Sequence, residues 1–435
     1  MSVQPTPAPL WRDRAFSTYW AGQGVSELGD RVSELALPLI AVTLLHATPL
    51  EVGLVTGAVW APHLVSLVVG TWVDQRPRKK AVLVGSHLIQ AASIASLPLA
   101  YAAGTLTLVH LCVAALVAGA GRVLYQTAYP SFFVHLVRKD QYLTANSLLS
   151  GTRSTSFVVG PALGGLLIQA LTAPVALLVD AISFLVSAVA IQRVRVDERA
   201  PEPSGEASLL TRARLGMRFV AHHAYLRASL ACCTCLNFFS FLAGALVILY
   251  ASRILGLSPG LIGLAFGGGA LGGVLGAVLA SRISRRIGVG RSVVVGGVAF
   301  CAPLAAIPLA AGAGDLRAAL ALAGVEFVGG AGIMVFDINL NAVQAAVTPD
   351  RMRSRAAGAF STVNYGIRPL GAALGGLAGE TLGIAPTLVL GGIGGSLSVL
   401  FLWRSPILRT RTIEELGPVE ASPHDGDQPA ASGSV

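Results

Sequence analysis

Apolar stretches of about twenty residues or more recur along nearly the whole chain, separated by short polar breaks. Each is long enough to cross a hydrocarbon core of ~30 Å at about 1.5 Å per residue. Twelve such spans are legible, over 16–46, 50–73, 80–102, 106–134, 141–171, 174–193, 225–253, 259–281, 290–312, 316–346, 352–381 and 385–404. The breaks fall at turn and helix-start signals: Thr48-Pro49, Gly104, Pro174, Ser258-Pro259, Gly288, Gly314, Pro349 and Pro386. A soluble fold buries one or two such stretches, not a dozen. The pattern predicts an all-α polytopic membrane protein. The first apolar segment is also far longer than the h-region of about 7–15 residues expected of a cleavable signal.

Composition agrees: 54% of residues are hydrophobic and 12% charged, against about 25% charged in a soluble chain. The net charge of +9 invites a nucleic-acid reading, but the basic residues form no basic domain and do not interleave with aromatics. They cluster in alternate loops: Arg76, Arg78, Lys79 and Lys80; Arg138 and Lys139; Arg282, Arg285, Arg286 and Arg291; Arg351, Arg353 and Arg355. The intervening loops hold only Arg253 and Arg317. By the positive-inside rule this asymmetry places both termini in the cytoplasm, with an even number of spans. The five cysteines all lie in apolar segments, as small apolar packing residues do, so no disulfide and no metal site is expected. No GxxxxGK[ST] nucleotide motif occurs either, and no cofactor is implied.

The longest loop, 194–224, divides the spans six plus six. It opens polar and Pro-rich, then closes on LLTRARLGMRFVAHH, where Leu210, Ala213, Met217 and Val220 fall at helical spacing. A short helix on the membrane surface is expected there. The segment SGTRSTSFVVGPALGGLL (150–167) aligns without gaps on STVNYGIRPLGAALGGLA (361–378), one half apart. GTWVDQRPRKK (70–80) aligns likewise on GAVLASRISRR (276–286). Two parallel, pseudo-symmetric six-helix bundles follow: 1–193, a cytoplasmic linker 194–224, 225–404, and a disordered cytoplasmic tail 405–435.

Within the first span Glu27, Asp30, Arg31 and Glu34 stand at i, i+3, i+4 and i+7, on one helical face. A charge at the bilayer centre costs about 2.5–3.5 kcal/mol, so four facing lipid would cost on the order of 10 kcal/mol. They must pair or face an aqueous cavity. Asp30 and Glu34 are proton-coupling candidates, with Arg31 a partner, and Glu27 stands nearer the interface. In the tenth span Glu326 and Asp337 lie about three turns apart on one face, followed by Asn339 and Asn341. Arg122, Arg153 and Arg368 are intramembrane cations, fit either to bind an anionic substrate or to act as counter-ions, and Asp180 is a candidate to pair with one of them. His63 and Gln90 are further candidates for lining a cavity.

Three segments resemble the major facilitator superfamily. GTWVDQRPRKK is similar to its loop between helices two and three, which implies a conformational latch at Gly70, Asp74, Arg76, Arg78 and Lys79. In this chain the arginine comes one position late and Pro77 takes the usual glycine position; Ala280 replaces the aspartate in the second-half copy. Gly160-Pro161-Ala162-Leu163-Gly164-Gly165 resembles the GPxxGG motif of helix five in the antiporters, with Ser156 in place of a further glycine. GVSELGDRVSELALPLIAVTLL, the YPSFFVHLVRKDQYLTANSL segment and RLGMRFVAHHAYLRASL are similar to the drug:proton antiporter branch, which includes macrolide efflux pumps and the enterobactin exporter.

The resemblance implies a monomeric exporter of a small amphipathic molecule, driven by protons and working by alternating access around a cavity formed mainly by helices 1, 4, 7 and 10. Its partners would be the substrate, protons and the lipid bilayer, and no nucleic acid. A low-Lys, Ala/Gly/Arg-rich composition points to a GC-rich bacterium, hence the inner membrane. An uptake symporter of the same fold shares every feature except GPxxGG. A membrane-embedded transferase is the reading from another class; neither a DxxxD metal pair nor HEXXH supports it.

Overall fold

The computed structural model describes residues 10–196, 198 and 209–416. Twelve helical rods run through it. The first six are α1 (Arg14–Thr43), α2 (Pro49–Trp60, then Ser66–Asp74), α3 (Lys79–Ala102), α4 (Leu108–Leu136), α5 (Tyr142–Leu171) and α6 (Ala173–Arg193). A linker helix, Leu209–His222, precedes the second six. These are α7 (Ala224–Arg253), α8 (Pro259–Ile287), α9 (Val289–Cys301, extended by a 3-10 turn Ala302–Ala310), α10 (Asp315–Val347), α11 (Asp350–Thr381) and α12 (Ile384–Leu397, extended by Ser398–Leu402).

Nine of the described helices are long and apolar enough to cross a membrane, ten if the two parts of α2 count as one span. The other two rods, α1 and α11, have the length, at 30 and 32 residues. What lowers their hydropathy is charge: the acidic face of α1, and Arg351, Arg353, Arg355 and Arg368 along α11. Two breaks differ from expectation by two or three residues. The turn assigned to Pro174 falls at Thr172, and that assigned to Pro386 at Gly383, because proline is tolerated inside the first helical turn.

Local sequence explains the helix starts. Thr48 and Glu51 form a reciprocal capping box ahead of α2, with Pro49 at the first helical position. Ser258 caps α8 by accepting from the Leu261 amide, with Pro259 at the first helical position. Pro62 interrupts α2 in a 3-10 turn, Ala61–Val65, and the rod bends by 55° just after that turn, between Val65 and Val68. The segment expected to be a membrane-surface helix is helical and packs one face on the second bundle. Val220 is fully buried, against Leu226, Val347 and Phe360, and Gly216 lies on the backbone of Arg355. Of the four residues at helical spacing, Leu210 and Ala213 have side chains outside those described. The tail expected from 405 is ordered as far as 416, because Ile407 is buried and the carbonyls of Thr410 and Arg411 accept from Gly290 and Val289. The rest of that tail lies outside the described residues.

The two bundles meet along two seams related by the internal repeat. In one, α5 crosses α8 with Gly165 against Gly263; in the other, α11 crosses α2 with Gly376 against Gly53. The preceding glycine of each pair, Gly164 or Gly375, admits the first helix of its own bundle, at Val32 or Leu242. Hydrogen bonds join the bundles at the same end. Arg253 donates to the Val42 carbonyl at 3.0 Å, and Thr48 to Glu380 at 3.2 Å. Ser258 and the Gly260 amide donate to Gln169 at 3.2 and 3.0 Å. This end is opposite the basic loops.

Candidate functional site

The charged face of α1 meets three arginines, each differently placed. Arg122, on α4, donates to Asp30 at 2.7 Å and stands 3.5 Å from Glu34. Arg31 pairs with Glu34 at 2.7 Å, and Arg153, on α5, approaches Glu27 at 3.5 Å. The principal partner of Asp30 is thus Arg122, reached across two helices, rather than its neighbour Arg31. The stem of Arg31 lies against Gly160, where a Cβ would have no room, and its guanidinium sits over the Phe157 ring at 5.2 Å. The GPxxGG motif therefore holds the charged helix directly: Gly160 admits Arg31, Gly164 admits Val32, and the Pro161 carbonyl faces Gly263.

Asp180, expected to pair with an arginine, has none within 4.0 Å among the described residues. Fully buried on α6, it accepts hydrogen bonds from Ser33 and Ser183. It lines one cavity together with Asp30, Glu34, Gln90, Arg122 and Trp60, with room of about 110 Å³ for water-sized molecules. That is well below the roughly 300–1,000 Å³ of a drug-sized pocket. The walls come from α1, α2, α3, α4 and α6, all in the first bundle, so this cavity is not the expected one between helices 1, 4, 7 and 10. The reason is the seam: with α2 and α5 closed on the second bundle, the water-sized space left beside Arg122 lies inside the first.

A polar chain missed in the sequence continues from Glu27. Gln23 reaches Glu27 at 3.5 Å, Tyr125 donates to Gln23 at 2.6 Å, and Tyr19 and Tyr125 share a hydrogen bond of 2.6 Å. His87 packs on Tyr125 and bonds Ser187 at 3.2 Å. Helical periodicity alone marks Tyr19, Gln23 and Glu27 as one stripe on α1, and that was the available signal.

The second bundle is sparser. Glu326 lies beside Gly269 on α8, and Asp337 is half-buried. Asn339 donates to the Val335 carbonyl one turn back at 2.8 Å, while Asn341 is exposed, so the two asparagines do not form one polar surface. Arg368, on α11, donates through Nε to Asn237 at 3.0 Å. Its guanidinium stands over three rings: Trp60 and Tyr365 at 4.4 Å, Phe241 at 4.9 Å.

In the loop resembling a latch, Asp74 and Arg78 are exposed and Arg76 lies over Trp72 at 4.2 Å. Among the described residues no cation comes within 4.0 Å of the Asp74 carboxylate. Lys79 is buried and donates to the carbonyls of Val73 and Asp74, so it caps the end of α2. A Cβ on Gly70 would make only an ordinary contact with Thr127, so tight packing does not require glycine here.

Two bundles of six rods related by an internal repeat, with the charged face of α1 paired to arginines inside its own bundle, define a polytopic membrane transporter of the major facilitator fold. A profile of the transmembrane secretion effector family matches residues 5–425, and the chain belongs to that family. The multidrug efflux pump Tap of Mycolicibacterium fortuitum is 27% identical over 376 residues, covering 83% of this chain and 88% of Tap. YfiS of Bacillus subtilis strain 168, an uncharacterized MFS-type transporter, is 24% identical over 389 residues, covering 87% of this chain and 90% of its own. A bacterial homologue of the iron transporter ferroportin, solved in its inward-facing state, superposes with a TM-score of 0.71 at 16% identity, covering 90% and 98% of the two chains. The likeness to that structure is one of fold. The chain is a transporter and not an enzyme.

Proposed function

We propose that this chain exports small amphipathic molecules across a bacterial inner membrane in exchange for protons, by alternating access. The observation that carries the reading is the Asp30–Arg122 pair, which links α1 to α4 and lines a cavity with Glu34 and Asp180. Protonating Asp30 removes its charge and frees Arg122 to turn to Glu34, already 3.5 Å away. The contact between α1 and α4 is thereby exchanged rather than lost. Inward movement of one proton supplies about 2.3 kcal/mol per 100 mV from the membrane potential.

Two further features support the direction. The relatives named multidrug efflux pumps align over most of their length, and the GPxxGG motif seats α1 against α5 at the point where α5 also crosses α8. With both termini cytoplasmic, the seams close the outer end, so this conformation opens inward. Arg153, with a side chain 67% exposed within α5, lines the inner vestibule. Asp74 and the basic residues after it stand apart in this state and close the latch in the other. The units that rock are the bundles 1–193 and 225–404, and one copy of the chain suffices.

The test is efflux of a panel of lipophilic dyes and macrolides from cells expressing the chain, with and without a protonophore. Protonophore-sensitive efflux that Asp30→Asn abolishes is the expected result. Counterflow in the opposite direction, with protons and substrate entering together, would replace export by uptake.

A further inference from the structure

Arg368 differs from the other arginines inside the spans. Arg31, Arg122 and Arg153 each have a carboxylate within 4.0 Å; among the described residues Arg368 has none. Its Nε bonds Asn237, and its two Nη groups make no hydrogen bond to any described residue. A guanidinium at this depth ordinarily pairs with an acid. Here three rings stand round it, from both bundles: Trp60 from α2, Phe241 from α7 and Tyr365 from α11. Beside the same rings lies His63, its centroid 5.1 Å from Trp60 and 5.3 Å from Tyr365. His63 is 96% buried, and its Nδ1 has no hydrogen-bond partner among the described residues. Both Trp60 and His63 sit at the 3-10 break in α2, and interrupted helices are where transporters of this architecture place substrate.

Resting on the export reading above, we propose that Trp60, His63, Phe241, Tyr365 and Arg368 form the recognition site for a planar aromatic carboxylate. The guanidinium edge takes both carboxylate oxygens in parallel, which a point charge cannot do. The rings take the aromatic body by offset or edge contact, and His63 supplies the remaining polar contact. A cationic substrate would meet the Arg368 charge, which Asp337 offsets only from beyond ion-pair distance, so charge favours the anion. Trp60 is also a wall of the cavity holding Asp30 and Arg122, which sets the bound anion next to the proposed proton site. In this conformation the rings close on the guanidinium itself, and admitting the ligand turns the guanidinium edge away from them.

The experiment is equilibrium binding to the purified full chain in lipid nanodiscs, with three probes of one shape: 1-naphthoate, 1-naphthalenemethanol and 1-naphthylmethylammonium. The wild type is expected to bind naphthoate at least about tenfold more tightly than either of the others. Arg368→Gln should abolish that preference. Arg368→Lys should keep part of it, having the charge without the fork, and His63→Phe should weaken naphthoate several-fold while sparing the alcohol. Size-exclusion elution and melting temperature check that each variant folds; if Arg368→Gln does not, the lysine and His63 variants decide. Equal or tighter binding of the ammonium probe overturns the proposal, as does an unchanged preference in a folded Arg368→Gln. Binding needs no gradient, so the two readings fail separately: energised efflux without naphthoate selectivity sinks only the site, and selectivity without protonophore-sensitive efflux sinks only the coupling.

Discussion

The first helices of the two bundles, α1 and α7, are each 30 residues long and end just before a capped, Pro-initiated helix. Laid end to end, they put Glu27 opposite Asn237, Asp30 opposite Ser240, Arg31 opposite Phe241 and Glu34 opposite Gly244. At these four positions the first rod thus carries four charges and the second none. The repeat between α5 and α11 sets Phe157 opposite Arg368. Each bundle therefore has one cation–ring contact at the same place with the partners exchanged: Arg31 on Phe157 at 5.2 Å, Arg368 on Phe241 at 4.9 Å. Two copies of one scaffold have kept the contact and divided the chemistry. The first half holds paired charges and the second one cation among rings; in the proposals above the former exchanges the proton and the latter grips the substrate.

Breaking the charged half has the largest expected effect. Asp30→Asn should reduce protonophore-sensitive efflux to background, a loss of tenfold or more in initial rate, whereas Arg122→Ala should in addition cost about 3 kcal/mol of stability by stranding Asp30. Retained, gradient-driven efflux in Asp30→Asn would move the proton site to Glu34 or to the second half. Next comes the joint between the halves. In Gly165→Val the new Cβ would meet the Gly263 Cα at 2.7 Å, so the bundles must part there. In a background without the five native cysteines, cross-linking between cysteines at Gln169 and Ser258 should fall several-fold; unchanged yield would mean that the seam absorbs the side chain.

A smaller effect tests the exchanged contact itself. The single variants Arg31→Phe and Phe157→Arg should each lower the melting temperature. The double variant should recover about 0.5–1 kcal/mol of coupling, measured as a double-mutant cycle. The smallest is Asn341→Ala, which should leave both transport and stability within error, since Asn341 is exposed and has no role in either polar cluster. A clear transport defect there would extend the second half's chemistry down α10.

The fold was legible because its determinants are local. Apolar run length, prolines at helix starts and the repeat at 150–167 and 361–378 each leave a mark in a short window of sequence. The charged face of α1 was legible for the same reason. What it pairs with was not, because Asp30 and Arg122 are 92 residues apart and Ser33 and Asp180 are 147 apart. Nearest-neighbour spacing favoured Arg31 for Asp30, and burial gave Asp180 two hydroxyls in place of an arginine. Trp60 and Phe241 look like ordinary apolar positions until the seam brings them to Arg368. Residues after 404 read as polar, yet Ile407, with Ile413 and Leu416 packed on the same cluster and two backbone hydrogen bonds to Val289 and Gly290, holds the stretch to 416 on the second bundle.

Both crossings between the bundles bring backbone onto backbone where glycine faces glycine, at Gly165–Gly263 and Gly376–Gly53. Interfaces of interdigitated side chains behave like gear teeth, and turning one helix past the other requires rotamers to disengage together. A glycine crossing behaves like a plain bearing. It keeps the two surfaces at one fixed separation and opposes rotation only through the hydrogen bonds at its rim. In the rocking motion proposed above, friction would rise at Arg253, Thr48 and Gln169, and wear, in the form of substitutions that change turnover without touching substrate, should be found there.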